Sequence, residues 1–264
     1  MSRLFTALVP VALALLSGVA AAQEFSAVIS PPRFEERSKP GQTYRNVIEI
    51  MNPTDRAAGF TVATADWGLD ASFTPVFSEA LTPGSCRPWV GIEAGKLTVP
   101  AGDRRRFRFE VAVPADAPRG ECRFAIMFEG ETQAPRQGMP LPMSGRIAVI
   151  VYLAVGDAAP RLEIVQARSA TLQGARLPVL NIRNSGDMHA RLDGFLAGVD
   201  AAGQRVVLVP DNSPILVGMT RDIALFPQPE QGDQAAPALA YPIRIKGRLD
   251  TEGQRIDVDT TVAQ

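Results

Sequence analysis

The chain has 264 residues, and its 27 Lys and Arg nearly balance its 28 Asp and Glu, giving a net charge of -1. This balance argues against a general binder of nucleic acid or of anionic membranes, because either function needs a clear basic excess. Hydrophobic residues make up 46% of the chain, so composition excludes a disordered protein. The 22 Pro and 22 Gly are spread over many short segments, which favours turns and strands over long helices.

Residues 1–22 have the pattern of a cleaved export signal. Arg3 supplies the positive charge, an apolar run follows, and the alanines at 20–22 give a small-residue cleavage site. An uncleaved membrane anchor is the alternative, but the apolar run is short and Pro10 interrupts it. We therefore expect a mature protein that begins near Gln23, does not insert into a membrane, and lies in a periplasm of the Gram-negative type.

The two cysteines, Cys86 and Cys122, are expected to form a disulfide, because an exported protein folds in an oxidising compartment. A buried free pair is the alternative. A metal site needs more ligands than the chain offers, since His189 is its only histidine. We expect neither a metal nor a cofactor.

The predicted elements that follow the signal are short strands. In chain order they include "NVIEIMN", "GFTVATADW", "RRRFRFEVAVP" and "CRFAIMFEG", separated by turn signals such as "NPTD", "TPGS" and "PADAPRG". Period-2 alternation predicts an inward face made of Phe107, Phe109, Val111 and Val113 on one strand and Cys122, Phe124, Ile126 and Phe128 on another. No convincing amphipathic helix follows residue 23. The pattern predicts an all-β fold, a sandwich or a barrel.

The chain also repeats itself weakly. "VIEIMNPTDRAA" at 47–58 resembles "VLNIRNSGDMHA" at 179–190, and one constant offset aligns Asn52 with Asn184. The simpler interpretation is that unrelated hairpins use similar turn residues. The interpretation that we favour is two β-sandwich domains in tandem, joined at "GDAAP" and each of immunoglobulin-like size, with boundaries at 23–156 and 157–264.

Catalytic signatures are missing from the sequence. It has no G-x-S-x-G elbow, P-loop, H-E-x-x-H or dinucleotide fingerprint. His189 lies in "SGDMHARL", predicted to be a turn with a solvated histidine. The run Arg104, Arg105, Arg106 and Arg108 is predicted to be a solvated outer face rather than an anion site. We therefore expect a protein that is not an enzyme.

The stretch "GMPLPMSGRIAVIVYLAVG" at 138–156 combines an apolar run with two prolines. Met139, Leu141 and Met143 share one face of an extended chain, and Pro140 and Pro142 both lack an N–H toward the same edge. Only an edge strand tolerates this, and from Ile147 onward the run predicts burial on both faces. The segment is either a protected edge strand or an exposed apolar row that fills pockets in a partner lacking a strand.

The mature chain resembles the periplasmic pilus-assembly chaperones of the chaperone–usher type. The resemblance lies in "ISPPRFEERSKPGQTYRNVIEIMNPTDRAAGFTVATADW", in "KLTVPAGDRRRFRFEV" and "CRFAIMFEG", and in "MPLPMSGRIAVIVYLAV". It covers nearly all of residues 25–156 and the rest mostly by pattern. It implies two immunoglobulin-like domains, donation of the last strand of the first domain to a pilin-like subunit, and delivery of that subunit to an outer-membrane usher.

The resemblance also implies a set of site residues. An Arg and a Lys of these chaperones bind the subunit's C-terminal carboxylate, and Arg33 matches the Arg. The Lys position falls on Ala148, so Arg146, on the same strand face, is the expected substitute. The apolar row at 139, 141 and 143 matches the donated strand.

Several alternatives stay open. The prolines face either the open edge or the neighbouring strand, and a self-capping homodimer is expected if the donated strand is exposed. The alternative function is a periplasmic or surface immunoglobulin-like protein with a structural or adhesive role and no strand donation. A sandwich that binds or hydrolyses a small molecule or carbohydrate is a more distant alternative.

Overall fold

The computed structural model describes residues 27–131, 145–172, 174–229 and 236–263. Within these ranges one short 3₁₀ helix, Arg87–Trp89, accompanies the strands. The strands are β1 (Val28–Ser30), β2 (Arg33–Ser38), β3 (Thr43–Met51), β4 (Ala58–Leu69), β5 (Pro75–Ser78), β6 (Val90–Ile92), β7 (Lys96–Val99), β8 (Arg104–Ala112), β9 (Gly120–Gly130), β10 (Arg146–Val155), β11 (Leu162–Leu172), β12 (Ala175–Asn184), β13 (Asp193–Val199), β14 (Arg205–Pro210), β15 (Thr220–Pro227), β16 (Ile243–Thr251) and β17 (Gln254–Val262). The predicted all-β class is confirmed. In the described part of the chain, no helix is long and apolar enough to span a bilayer.

The first ten strands form a sandwich of two sheets. One sheet has the order β1-β3-β8-β6, and the other has the order β2-β10-β9-β4-β5, with β7 also paired to β4. The predicted inward faces of β8 and β9 are confirmed, because their alternating apolar side chains are buried together in one core. The arginines of β8 are exposed, and Arg104, Arg106 and Arg108 lie on the face opposite the core, as predicted.

The last seven strands form a second sandwich. Their order is β11-β12-β15-β14-β13-β16-β17, and β15 is shared between two layers because its first half pairs with β12 and its end pairs with β14. The first and last strands of this order, β11 and β17, lie next to each other. There the side-chain amide of Gln254 exchanges two 2.8 Å hydrogen bonds with the backbone of Leu162. A second apolar core fills the space between the layers. Two immunoglobulin-like sandwiches in tandem are therefore confirmed.

The asparagines that the sequence repeat aligns, Asn52 and Asn184, make equivalent hydrogen bonds in the two sandwiches. The Nδ2 of Asn52 donates to the carbonyls of Arg56 and Val99, and the Nδ2 of Asn184 donates to those of Met188 and Ile215. Both side chains are fully buried, so each amide ties the turn that follows its strand to a second segment of the same sandwich. The sequence repeat thus corresponds to the same asparagine-held turn in each sandwich.

The predicted disulfide is present. Cys86 and Cys122 are bonded with their Cα atoms 5.6 Å apart, and both are buried. Cys86 precedes the 3₁₀ helix in the loop between β5 and β6, whereas Cys122 lies on the inward face of β9. The bridge therefore pins that loop to the first core.

The "GDAAP" segment, residues 156–160, lies between β10 and β11. Contacts across this joint are polar as well as apolar: Arg119 forms an ion pair with Asp187, and the guanidinium of Arg221 lies 4.6 Å from the ring centroid of Phe73. The two sandwiches therefore contact each other, and an open cleft lies between them. The boundaries at residues 156 and 157 stay a prediction.

Candidate functional site

The cleft is floored by the outer face of the β10 sheet. Because side chains alternate along a strand, Val149 and Val151 lie in the first core, whereas Ile150 and Tyr152 face the second sandwich. Leu216, from the loop that precedes β15, is buried against that outer face. The predicted burial of β10 on both faces is confirmed for this part of the strand, and it places the strand between the two sandwiches.

Arg33, the predicted carboxylate ligand, opens β2. The parallel register pairs it with Ile150, so its side chain lies on the cleft side of the sheet. Its Nε is 2.7 Å from Oε1 of Glu35, two residues along the same strand face, and 48% of its side chain is exposed. Arg33 is thus accessible and already holds a carboxylate.

Arg146, the second predicted ligand, opens β10 and is bound elsewhere. Its Nη2 is 2.8 Å from Glu129 and 3.1 Å from Glu79. Since Arg33 pairs with Ile150, Arg146 lies about 13 Å along the strand from the point where Arg33 stands. Whether both arginines reach one carboxylate stays a prediction.

The first half of β10 has an open edge. Gly130 donates its N–H to Gly145 on the β9 side, and Ile150 donates its N–H to Pro32 on the β2 side. Backbone groups alternate in direction along a strand, so Arg146 and Ala148 direct theirs away from β9. No described strand pairs with them there, because the β2 register begins at Ile150. The row of Met139, Leu141 and Met143, together with Pro140 and Pro142, lies outside the described residues.

His189 differs from its prediction as a solvated residue. It is only 6% exposed, and its ring stacks on Tyr152 with centroids 3.7 Å apart. Its backbone N–H and its Nδ1 both contact Oε2 of Glu121, and its Nε2 is 3.8 Å from Glu35. The prediction failed because the turn is exposed only within its own sandwich; the first sandwich covers it.

The two carboxylates decide the charge of this histidine. Burial by itself lowers the pKa of His189, but the hydrogen bond to Glu121 and the attraction of the Glu121 and Glu35 carboxylates outweigh it, so the pKa lies above its ordinary value of 6.5. Burial raises the pKa of the neighbouring Tyr152 to about 12. The interface therefore favours an imidazolium held between two carboxylates beside a neutral phenol.

Arg191 is a cleft residue that the sequence analysis missed. Its Nε is 2.8 Å from the same Glu35 oxygen that Arg33 contacts, and its side chain is 18% exposed. The close approach of the His189 ring, together with the hydrogen bond and charge of Arg191, lowers the pKa of Glu35 to about 2. No motif marks Arg191, since only the packing of the two sandwiches brings it to β2.

These groups line an open cavity of about 460 Å³. Its lining residues are Glu35, Glu36, Arg37, Glu121, Tyr152, Ala154, Met188, His189, Ala190, Arg191, Thr251 and Glu252. Among the described residues, no group of three or more His, Cys, Asp or Glu side chains could hold a metal ion. The site is instead rich in arginine–carboxylate pairs, an arrangement suited to recognising a carboxylate.

No protein-family model and no curated protein matches the chain, but solved structures do. A structure of a chaperone–tip adhesin complex from CFA/I fimbriae biogenesis matches at 14% identity, covering 89% of this chain and 98% of that one, with a TM-score of 0.49. The class 5 fimbriae chaperone CfaA matches at 14% identity over 90% and 100%, with a TM-score of 0.48. A Salmonella enterica structure of the SafA pilin with the SafB chaperone matches at 11% identity over 91% and 99%, with a TM-score of 0.49. All three concern fimbrial or pilus chaperones, the kind of protein that the sequence resembles.

Proposed function

We propose that this protein is a periplasmic chaperone without enzymatic activity that captures a pilin-like subunit by strand addition and delivers it to an outer-membrane usher. The observation that supports this most directly is the open edge of β10 beside Arg33. Arg146 and Ala148 direct their backbone groups to an edge that no described strand fills, and an extended segment of a partner can take up such groups.

The position of Arg33 sets the direction of the added strand. Arg33 lies at Ile150, where the open edge ends and β2 begins. A partner whose C-terminal carboxylate reaches Arg33 therefore runs along β10 toward residue 150, parallel to it. The apolar row at Met139, Leu141 and Met143 precedes β10 in the chain, and in this proposal it supplies side chains that fill pockets in the partner.

The experiment is a tagged pull-down from the native periplasm that compares the wild type with a Met139→Ser, Leu141→Ser, Met143→Ser variant. We expect the wild type to capture a small immunoglobulin-like subunit, and the variant to lose it while keeping its circular dichroism spectrum and melting temperature. The matched control is Leu81→Ser, Val165→Ser, Leu172→Ser, three exposed apolar side chains elsewhere, which should capture normally.

Two results would contradict the proposal. One is a variant that captures the subunit as well as the wild type does. The other is a variant whose melt collapses while the wild type captures nothing, because large-to-small changes cost several kcal/mol only where the side chains are core. In that case the apolar row stabilises this chain and is not offered to a partner.

A further inference from the structure

Glu35 lies where three cationic side chains from both sandwiches converge. Its Oε1 is 2.7 Å from Nε of Arg33, 2.8 Å from Nε of Arg191 and 3.8 Å from Nε2 of His189. Because both arginines contact one oxygen atom, their guanidinium groups lie within the span of a single carboxylate. Arg33 belongs to β2, whereas Arg191 belongs to the turn before β13, so the pair exists only when the sandwiches are docked.

This geometry gives Arg33 a different partner from the one that the sequence predicts. Arg146 is about 13 Å away along β10 and holds Glu129 and Glu79. Ala148 carries no charge and packs against the apolar cluster of the cleft. Among the described residues, Arg191 is the arginine that shares a carboxylate oxygen with Arg33.

We infer that Arg33 and Arg191 form a two-arginine carboxylate subsite, which Glu35 fills in the free protein and which the C-terminal carboxylate of a partner takes by displacing Glu35. The identity of that partner rests on the proposed function, but the subsite itself does not. Two guanidinium groups suit this role because each is permanently charged and presents planar donors that match a carboxylate.

Glu35 is placed to act as an exchangeable occupant. Its side chain is 35% exposed and lines the open cavity, so an incoming carboxylate can reach the arginines from solvent. The depressed pKa of Glu35, about 2, is consistent with a position that favours an anion. When Glu35 leaves, an equal negative charge replaces it, and His189 keeps its contact with Glu121.

The test uses propionate as the carboxylate probe and propionamide as its neutral isostere. The full chain, labelled with nitrogen-15, is titrated while the Nε–H signals of its arginines are followed by NMR. We expect propionate to move the Arg33 and Arg191 signals with one shared dissociation constant and propionamide to move neither. Arg45 is the internal control, because it lies on the other sheet of the first sandwich, outside this cavity, and holds Glu110.

Substitutions at Arg191 and Glu35 show whether each side chain strengthens or weakens propionate binding. Arg191→Ala should weaken propionate binding about tenfold, since a charged hydrogen bond is lost, and Arg191→Lys should restore only part of it. Glu35→Gln should tighten binding severalfold, because the internal competitor has lost its charge. A residue that merely held the site together would weaken binding when changed. Melting temperatures check that each variant is folded.

Three outcomes would overturn the inference: propionate that moves neither arginine signal in the wild type, an Arg191→Ala variant with unchanged affinity, or a Glu35→Gln variant that binds more weakly. The proposed function can fail separately. Subunit capture that needs Arg33 but is indifferent to Arg191 would keep the chaperone function and remove this subsite. Propionate binding without any captured subunit would support the subsite and remove the chaperone function.

Discussion

At the scale of single residues, Asn52 and Asn184 show what a sequence repeat can predict. A constant offset in the sequence aligns them, and both are buried amides that bond to turn carbonyls. The repeat is visible because a turn held by a side chain needs that residue at one fixed position. The more distant hydrogen-bond partners, Val99 at the end of β7 and Ile215 before β15, cannot be read from the pattern.

Asn184→Ala is expected to lower the free energy of unfolding by about 2–4 kcal/mol, because the buried carbonyl of Met188 loses the donor that Asn184 supplies and that of Ile215 keeps only the N–H of Ala190. Urea unfolding followed by circular dichroism measures the change. Asn212→Ala, at an exposed asparagine, is the control and should stay within about 0.5 kcal/mol of the wild type. Equal effects of the two changes would show that the buried amide stabilises nothing.

His189 illustrates a residue whose environment the sequence could not predict. The alternation that places strand side chains is local, whereas the contacts of His189 with Tyr152, Glu121 and Glu35 come from the other sandwich. Because the folded pKa of His189 is raised, its stabilising contribution is fully present below about pH 6.5 and is lost as the pH rises through the folded value.

Thermal melts should therefore show a wild-type melting temperature that falls as the pH rises above about 6.5, with a smaller fall in His189→Gln. Glu35 does not interfere in this range, since its lowered pKa of about 2 affects stability only as the pH falls below its ordinary 4.5. A variant that keeps the full wild-type slope would contradict the assignment of this pH dependence to His189.

At the scale of the elements, the strands were predictable because one buried face gives a period of two, as on β8 and β9. The register was not predictable, and it separates Arg33 from Arg146 by pairing Arg33 with Ile150. The disulfide was expected from the compartment and from the inward position of Cys122. Its structural consequence, a loop pinned to β9, depends on where Cys86 lies.

Changing both Cys86 and Cys122 to Ser should lower the free energy of unfolding by about 2–4 kcal/mol, because the bridge restricts the unfolded chain. Urea unfolding with and without a reductant measures the effect. The reduced wild type should approach the oxidised double variant, and the variant itself should not respond to reductant. A double variant as stable as the oxidised wild type would mean that the bridge adds no stability.

At the scale of the whole molecule, the candidate cleft arises from the docking of two sandwiches, each of which has an apolar core of its own. The sequence predicted the all-β fold correctly, and its assignment of Arg33 as a carboxylate ligand stays a prediction. It did not reach Arg191, because the approach of two separately folded units leaves no periodicity in either one. The open edge of β10, the buried His189 and the shared Glu35 all lie in or beside this cleft, which is why we propose it as the place of subunit capture.

The most direct test of strand addition is amide hydrogen exchange of the protein alone and in complex with the captured subunit. In the free protein the N–H groups of Arg146 and Ala148 should exchange rapidly, whereas those of Ile147 and Val149, directed toward β9, should be protected. Capture should slow exchange at Arg146 and Ala148 by at least about tenfold, because an added strand accepts their hydrogen bonds. A stable complex in which both amides exchange as fast as in the free protein would contradict strand addition at β10.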